Sequence, residues 1–253
     1  MKRETKKETR KVINEPRAMD LPAESVLSAQ ILAALGLGAV VGGAPTDVVR
    51  STLESINAAN AMIADGLVQP RLIAAEYGID RIAPDGIAVD GHTIIPCDSS
   101  VFEGVERIIA AIVTLGPRLE HAVRSSFDDN DPLLAIILDM AGIILIRNAS
   151  THFQRECATR AGAIGLELGP RVSPGCQAVP LEAQKALFSL LDAQSIGVTL
   201  TDSLLMTPVK SVSVILPLAA SLPERLKVFS MCLTPGRTGM PHWTTSQPRT
   251  PSR

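Results

Sequence analysis

The stretch LLAIILDMAGIILI, from Leu133 to Ile146, carries one charged residue, Asp139, and any fold built on this chain must bury most of it. Asp131-Pro132 stands directly before it, an opening suited to a helix because proline fits the first turn. After Ile146 the sequence turns progressively polar, so we read one long helix through about Arg160 that emerges from a core. A second apolar run, IIAAIVTLG from Ile108, reads as a buried strand that breaks at Gly116-Pro117. Crossing a bilayer takes roughly 18 to 20 apolar residues, and both runs fall short, so core segments are predicted and membrane spans are not.

Composition narrows the class. Of 253 residues 46% are hydrophobic and 20% charged, which fits a globular protein with a sizeable core. Net charge is -2 and aromatics make up 3%, so a basic, ring-bearing nucleic-acid surface is not expected. Cys97, Cys157, Cys176 and Cys232 stand singly, without a CxxC pair, which fits a reduced cytoplasmic protein with no zinc site. The opening MKRETKKETRKV is basic and lacks an apolar continuation, unlike a secretory signal. We expect residues 1–21 to form a flexible basic arm, 22–220 the folded domain, and the Pro-, Thr- and Ser-rich 221–253 a flexible tail.

Along the chain, Val26, Leu27, Ile31, Leu32 and Leu35 share a helical face that stops at LGLGAVVGG. Gly36, Gly38 and Gly42 follow a helix, not a strand, and their spacing is GxGxxxG, so a dinucleotide fold is not predicted. Thr46 caps a second helix that ends near Gly66. Short β-rich pieces follow, joined by turns at Pro84-Asp85-Gly86 and Asp90-Gly91. His92 lies in the second turn and is expected at the surface; the DxHxxG loop of corrinoid proteins would need glycine where Ile95 stands. GPRLEHAVRSSF reads as a helix with Pro117 in its first turn. PLEAQKALFSLLD reads as a shorter helix from Pro180, and IGVTLTDSLLMTP and KSVSVILPL as two antiparallel strands joined at Pro208.

Chemistry concentrates in RVSPGC. Arg171 offers a planar fork matched to a carboxylate, Ser173 and Pro174 lead into the turn, and Gly175 lets backbone approach a ligand with its amide free to donate. Asp202 and Ser203 in LTDS form a polar loop, either lining a pocket or closing an Asx-type turn. Lys210 and Ser211 are read as structural, and Cys176 as an inert turn cysteine.

Taken in order, RVSPG, the PLEAQKALFSLLD helix, IGVTLTDSLLMTPVKSVSV and the upstream LDMAG helix resemble the activation domain of cobalamin-dependent methionine synthase, in its free-standing relatives. The resemblance is strongest from Val105 to Leu218 and extends back to about Pro22. It implies an α+β fold, a bent, mainly antiparallel sheet flanked by helices. It also implies binding of S-adenosylmethionine, whose methyl group goes to the corrinoid of a partner methionine synthase or corrinoid methyltransferase during reactivation. A flavodoxin-like or iron-sulfur electron donor would serve the same step. By resemblance, Arg171 holds the methionyl carboxylate and Gly175 adds backbone contacts, with Ser173, Pro174, Cys176, Asp202 and Ser203 around them.

Two residues depart from the family pattern. Cys176 stands where the Arg-x-x-x-Gly-Tyr motif has its aromatic wall. Arg147 lies near a position often acidic in relatives and would repel the ligand's sulfonium. Both favour an alternative, an interaction or assembly subunit that has the fold without the ligand. No nucleophile-base set is visible, so substrate positioning is the expected contribution, and without a cysteine set for zinc or an intact DxHxxG loop the chain is read as a component of a methionine synthase or related corrinoid methyltransferase, not a complete enzyme alone.

Overall fold

The computed structural model describes residues 12–13, 17–21, 26, 28–35, 47–176 and 178–226. Gly36, Gly38, Gly42, Thr46 and Cys232 lie outside them.

The core begins with two strands too apolar to face water on either side. In β5 (Arg107–Thr114) every residue after Arg107 is buried, and in β9 (Ser211–Ala219) every residue after Val212. They pair antiparallel from Arg107↔Leu218 to Thr114↔Ser211 and occupy the middle of the sheet. On the other side of β5 runs β2 (Arg71–Ala83), beyond it β3 (Gly86–Val89) and β4 (Thr93–Pro96), while β6 (Glu167–Leu168) pairs with the free side of β9. Every pairing is antiparallel.

β2 changes partners along its length. Arg71–Ala74 pairs with β1 (Arg17–Asp20), whereas the part beyond Ile79 pairs with β3, with a register shift between Ile79 and Arg81. Such a bulge bends a strand, and the expected bent sheet follows from it. The β2–β3 turn requires Gly86, whose φ is 151° and whose missing Cβ would lie 2.1 Å from the Ile95 carbonyl oxygen.

Strand alternation sorts the core into two layers. Ile108, Ala110, Ile112 and Ile215 face one side with Phe102, Ala183 and Leu187, the last two from α5 (Ala183–Leu190). Ile109, Ala111, Val214 and Leu216 face the other, under Ala149, Phe153 and Cys157 of α4 (Pro132–Ala163). The Asp131 carboxylate caps α4 by accepting from the Leu134 amide at 3.0 Å. The N-terminal half of α4 packs with α1 (Ser28–Ala34), α2 (Asp47–Met62) and α3 (Arg118–Asp128) around Ile56, Leu119 and Leu138. By length and mean hydropathy (1.8) α4 is able to cross a membrane, but half of its most apolar window is buried in the fold. It is a core helix, as its sequence predicts.

Three expectations need correction. Part of the predicted N-terminal arm is ordered into the domain: Arg17–Asp20 is a sheet strand, and Val12 and Ile13 are buried beside Leu72. Their amides donate to the Glu76 carboxylate at 2.6 and 3.1 Å, satisfying a buried acid that also accepts from Arg107 at 3.1 Å. The domain also runs past residue 220, since Leu226 is fully buried in the α5-side core. Finally, the two segments around Pro208 do not pair with each other. Thr199–Leu200 (β7) and Met206–Thr207 (β8) close a small hairpin on themselves, because β9 is already flanked by β5 and β6.

Glu76→Ala removes the acceptor of two buried amides and one partner of Arg107. We predict a loss of about 2–4 kcal/mol of unfolding free energy in urea titrations. Hydrogen exchange at Val12 and Ile13 should accelerate far more than at Ile109.

Candidate functional site

The site is the free edge of the sheet. After α4 the chain reverses at Gly165 (φ 77°) and runs back along β9, through Glu167↔Ala219 and Leu168↔Leu218. Val172 then exchanges both backbone hydrogen bonds with Ile215, at 2.9 and 2.7 Å. Val172 joins the α5-side core, while Arg171 lies within the field of Arg147 on α4. The same pairing turns the backbone N–H and C=O groups of Arg171 and Ser173 away from β9. Among the described residues no strand lies beyond this edge.

Arg171 is partly buried, and among the described residues its guanidinium has neither an ion pair nor a hydrogen bond. Burial lowers its pKa from the usual arginine range, and the nearby Arg147 guanidinium of α4 lowers it further. Both effects disfavour the cation, yet arginine keeps its charge in proteins. A half-buried cation held beside another cation is stabilised by an anion placed between them or against one of them.

The turn that follows is built differently from the sequence expectation. Gly175 takes φ 90°, and a Cβ there would meet only Leu181 Cδ1 at 3.7 Å, so glycine is required by conformation and not by close approach. Its amide is not free, because it donates to the Val179 carbonyl at 2.8 Å. The Cys176 amide donates to the Ser173 carbonyl at 3.1 Å, which closes the turn through Pro174. The main-chain donors that face outward at the edge are the Arg171 and Ser173 N–H groups, which the sequence reading missed because only the Val172–Ile215 pairing turns them that way. Cys176 is partly exposed.

Asp202 and Ser203 are exposed at the tip of the β7–β8 hairpin. Thr201, not Asp202, closes that turn: its hydroxyl accepts from the Leu205 amide at 3.0 Å and lies 3.1 Å from the Ser203 hydroxyl. No described hydrogen bond joins Asp202 or Ser203 to the Arg171–Cys176 segment. Lys210 has the structural role expected of it. Its amine meets Asp139 of α4 at 2.7 Å, and its stem fills the space that a side chain at Gly142 would need. A cavity of about 580 Å³ bounded by Asp20, Gln69 and Arg71 lies at the start of β2, with β5 and β9 between it and the Arg171 edge.

An open antiparallel sheet with α4 on one face and α5 on the other is a fold found in a known domain. The crystal structure of the MetH reactivation domain bound to AdoHcy matches with a TM-score of 0.58, covering 80% of this chain and 78% of that one at 16% identity. Residues 167–221 match the family described as vitamin B12 dependent methionine synthase, activation domain. That segment contains the Arg171 turn, α5, the β7–β8 hairpin and β9. The resemblance read from the sequence and the fold it implied are thus borne out. No curated protein matches the sequence.

Thiol labelling provides a check on this geometry. Burial pushes Cys97 up to about 11 and Cys157 up to about 12, whereas Cys176 is partly exposed in its turn. In a Cys232→Ser background at pH 8, we predict that a disulfide reagent titrates one thiol in the folded protein and three after denaturation. Labelling of Cys97 or Cys157 at the Cys176 rate would contradict the burial described.

Proposed function

We propose that the chain is an S-adenosylmethionine-binding, activation-domain-like protein, and that it supports reductive methylation of a corrinoid held by a partner methionine synthase or corrinoid methyltransferase. The observation that carries this proposal is the Arg171 guanidinium, half-buried at an open sheet edge and without an acidic partner among the described residues. The family match over residues 167–221 and the reactivation-domain fold support it.

On this reading the ligand's carboxylate lies against Arg171, with the outward Ser173 amide as an added donor, while Pro174 and Gly175 fix the turn that holds both. Cys176 gives that turn a small wall where an aromatic ring would give a broad one. The bound nucleoside supplies the methyl group; the protein supplies position, and no side chain is asked to move a proton. Asp202 and Ser203 belong to a neighbouring loop able to meet a ligand or partner only from the hairpin tip. The corrinoid partner, a flavodoxin-like or iron-sulfur electron donor, and a cytoplasmic setting complete the proposal.

A second reading has its own observation. The outer face of α4 exposes Ile136 and Ile143, and the hairpin region exposes Leu205 and Val209. Apolar side chains of this kind suit a protein contact, as an assembly subunit without a ligand would need.

Calorimetry separates the two. We expect S-adenosylmethionine or its demethylated product to bind the intact chain, and Arg171→Ala to weaken binding by about 10- to 100-fold, the loss of one charge-assisted bidentate contact. Absence of heat at millimolar ligand, with the protein folded by circular dichroism, would leave the assembly reading in place.

A further inference from the structure

The side of α4 that stays outside the core has an order of its own. At about 3.6 residues per turn, Pro132, Ile136, Ile143 and Arg147 fall on one line along the helix, with Met140 beside it. Pro132 and Arg147 are exposed, Ile136 and Ile143 are 44% and 54% exposed, and Met140 is half-buried. Single exposed aliphatic residues are ordinary on a surface. Two on one line of one helix, with a methionine between them, form a stripe of the kind that marks a protein contact.

The two ends of the stripe carry opposite charge. Asp131 stands at its N-terminal end, with Asp128 and Asp129 just before it, and all three are exposed. Arg147 stands at the other end. Among the described residues none of these four groups has an ion-pair partner. Asp131 commits Oδ1 to the Leu134 amide as the helix cap, and Oδ2 has no described hydrogen bond.

This pattern is complementary to itself. The midpoint between Ile136 and Ile143 is also the midpoint between Pro132 and Arg147. A second copy laid antiparallel therefore sets Ile136 on Ile143 of the partner subunit, and Arg147 beside Asp131 of the partner subunit. The same patch serves both copies over about 22 Å of helix, which is the isologous contact of a twofold dimer. A parallel pairing would bring acid to acid and Arg147 to its own copy, so charge selects the antiparallel one. Asp139, which lies next to the axis, is already neutralised by the Lys210 amine at 2.7 Å.

We propose that the outer face of α4 is a homodimer interface. Two copies pair antiparallel about an axis between Asp139 and Met140, with Ile136 and Ile143 as reciprocal apolar anchors and an Asp131–Arg147 charge pair at each end. The proposal goes beyond the assembly reading by giving the apolar face a definite occupant, and it does not depend on ligand binding at Arg171.

Sedimentation equilibrium of the intact chain, from about 1 to about 200 μM, is the first test. The average mass should rise from monomer to dimer and stop there, because an isologous contact closes on itself. Ile143→Glu puts a charge against the apolar anchor of the partner and should raise Kd by about tenfold or more. Its melting transition by circular dichroism should stay that of the wild-type monomer, since Ile143 is exposed. High salt should weaken the wild-type dimer by screening the end pairs. Cysteine pairs then read the register. In a Cys176→Ser, Cys232→Ser background, a mixture of Ile136→Cys and Ile143→Cys copies should form a disulfide-linked dimer under mild oxidation. Either variant alone should cross-link far less, because identical positions lie about 10 Å apart along the antiparallel pair. A chain that stays monomeric over the whole range, leaving the face to a different protein, overturns the proposal. A dimer indifferent to Ile143→Glu, or a mixture that cross-links no better than its components, also overturns it. Should Ile143→Glu fail to fold, the cross-linking comparison decides alone.

Discussion

The fold and its candidate site depend on a single strand, β9. On one side it pairs with β5 over the whole buried run, and on the other it accepts β6 and the Val172 bridge. Strand register is strict when both faces are buried, since a slip by one residue would exchange the α4 and α5 faces. That strictness passes to the edge: Ile215 fixes Val172 inward, and Arg171 and Ser173 are thereby fixed outward. A site made this way does not rely on its own loop for position. The Pro174-Gly175 turn completes it by closing on Ser173 and Val179.

The edge is also the place where the molecule tolerates an electrostatic cost. Elsewhere buried charge is matched, most clearly at Glu76, whose carboxylate collects two amides and Arg107. Arg171 is treated oppositely, with burial and a like charge both acting against it. A protein selected for stability alone would place an acid or an apolar residue at such a position. On the proposed reading the arginine is a binding group kept ready, which is the common relation between locally unfavourable electrostatics and function.

Much of this was legible from sequence. The unbroken apolar character of Leu133–Ile146 required a core helix, and the glycines at 86 and 175 marked turns that do adopt positive φ. Pairing was less legible. KSVSVILPL reads as a strand, but nothing within it says that its partner is β5, a hundred residues earlier, and not the adjacent hairpin. The burial of Val12 and Ile13 was hidden because its cause, Glu76, is distant in the chain. At the site, the type of residue was readable and the direction of each backbone group was not. Gly175 looked like an open donor until its amide was found on Val179, and the Ser173 amide had no signal at all. The apolar face of α4 shows the same limit: a helix apolar nearly all round does not disclose that Ile136 and Ile143 are exposed.

The central claim is that a nucleoside amino acid occupies the sheet edge through Arg171. A crystal structure of the intact chain grown with S-adenosylhomocysteine tests it most directly. The account predicts density for the ligand's carboxylate within hydrogen-bond distance of the Arg171 guanidinium and the Ser173 amide, with the β9–Val172 pairing unchanged. Ligand density elsewhere, for instance in the cavity beside Asp20 and Arg71, with Arg171 facing only solvent, would contradict it.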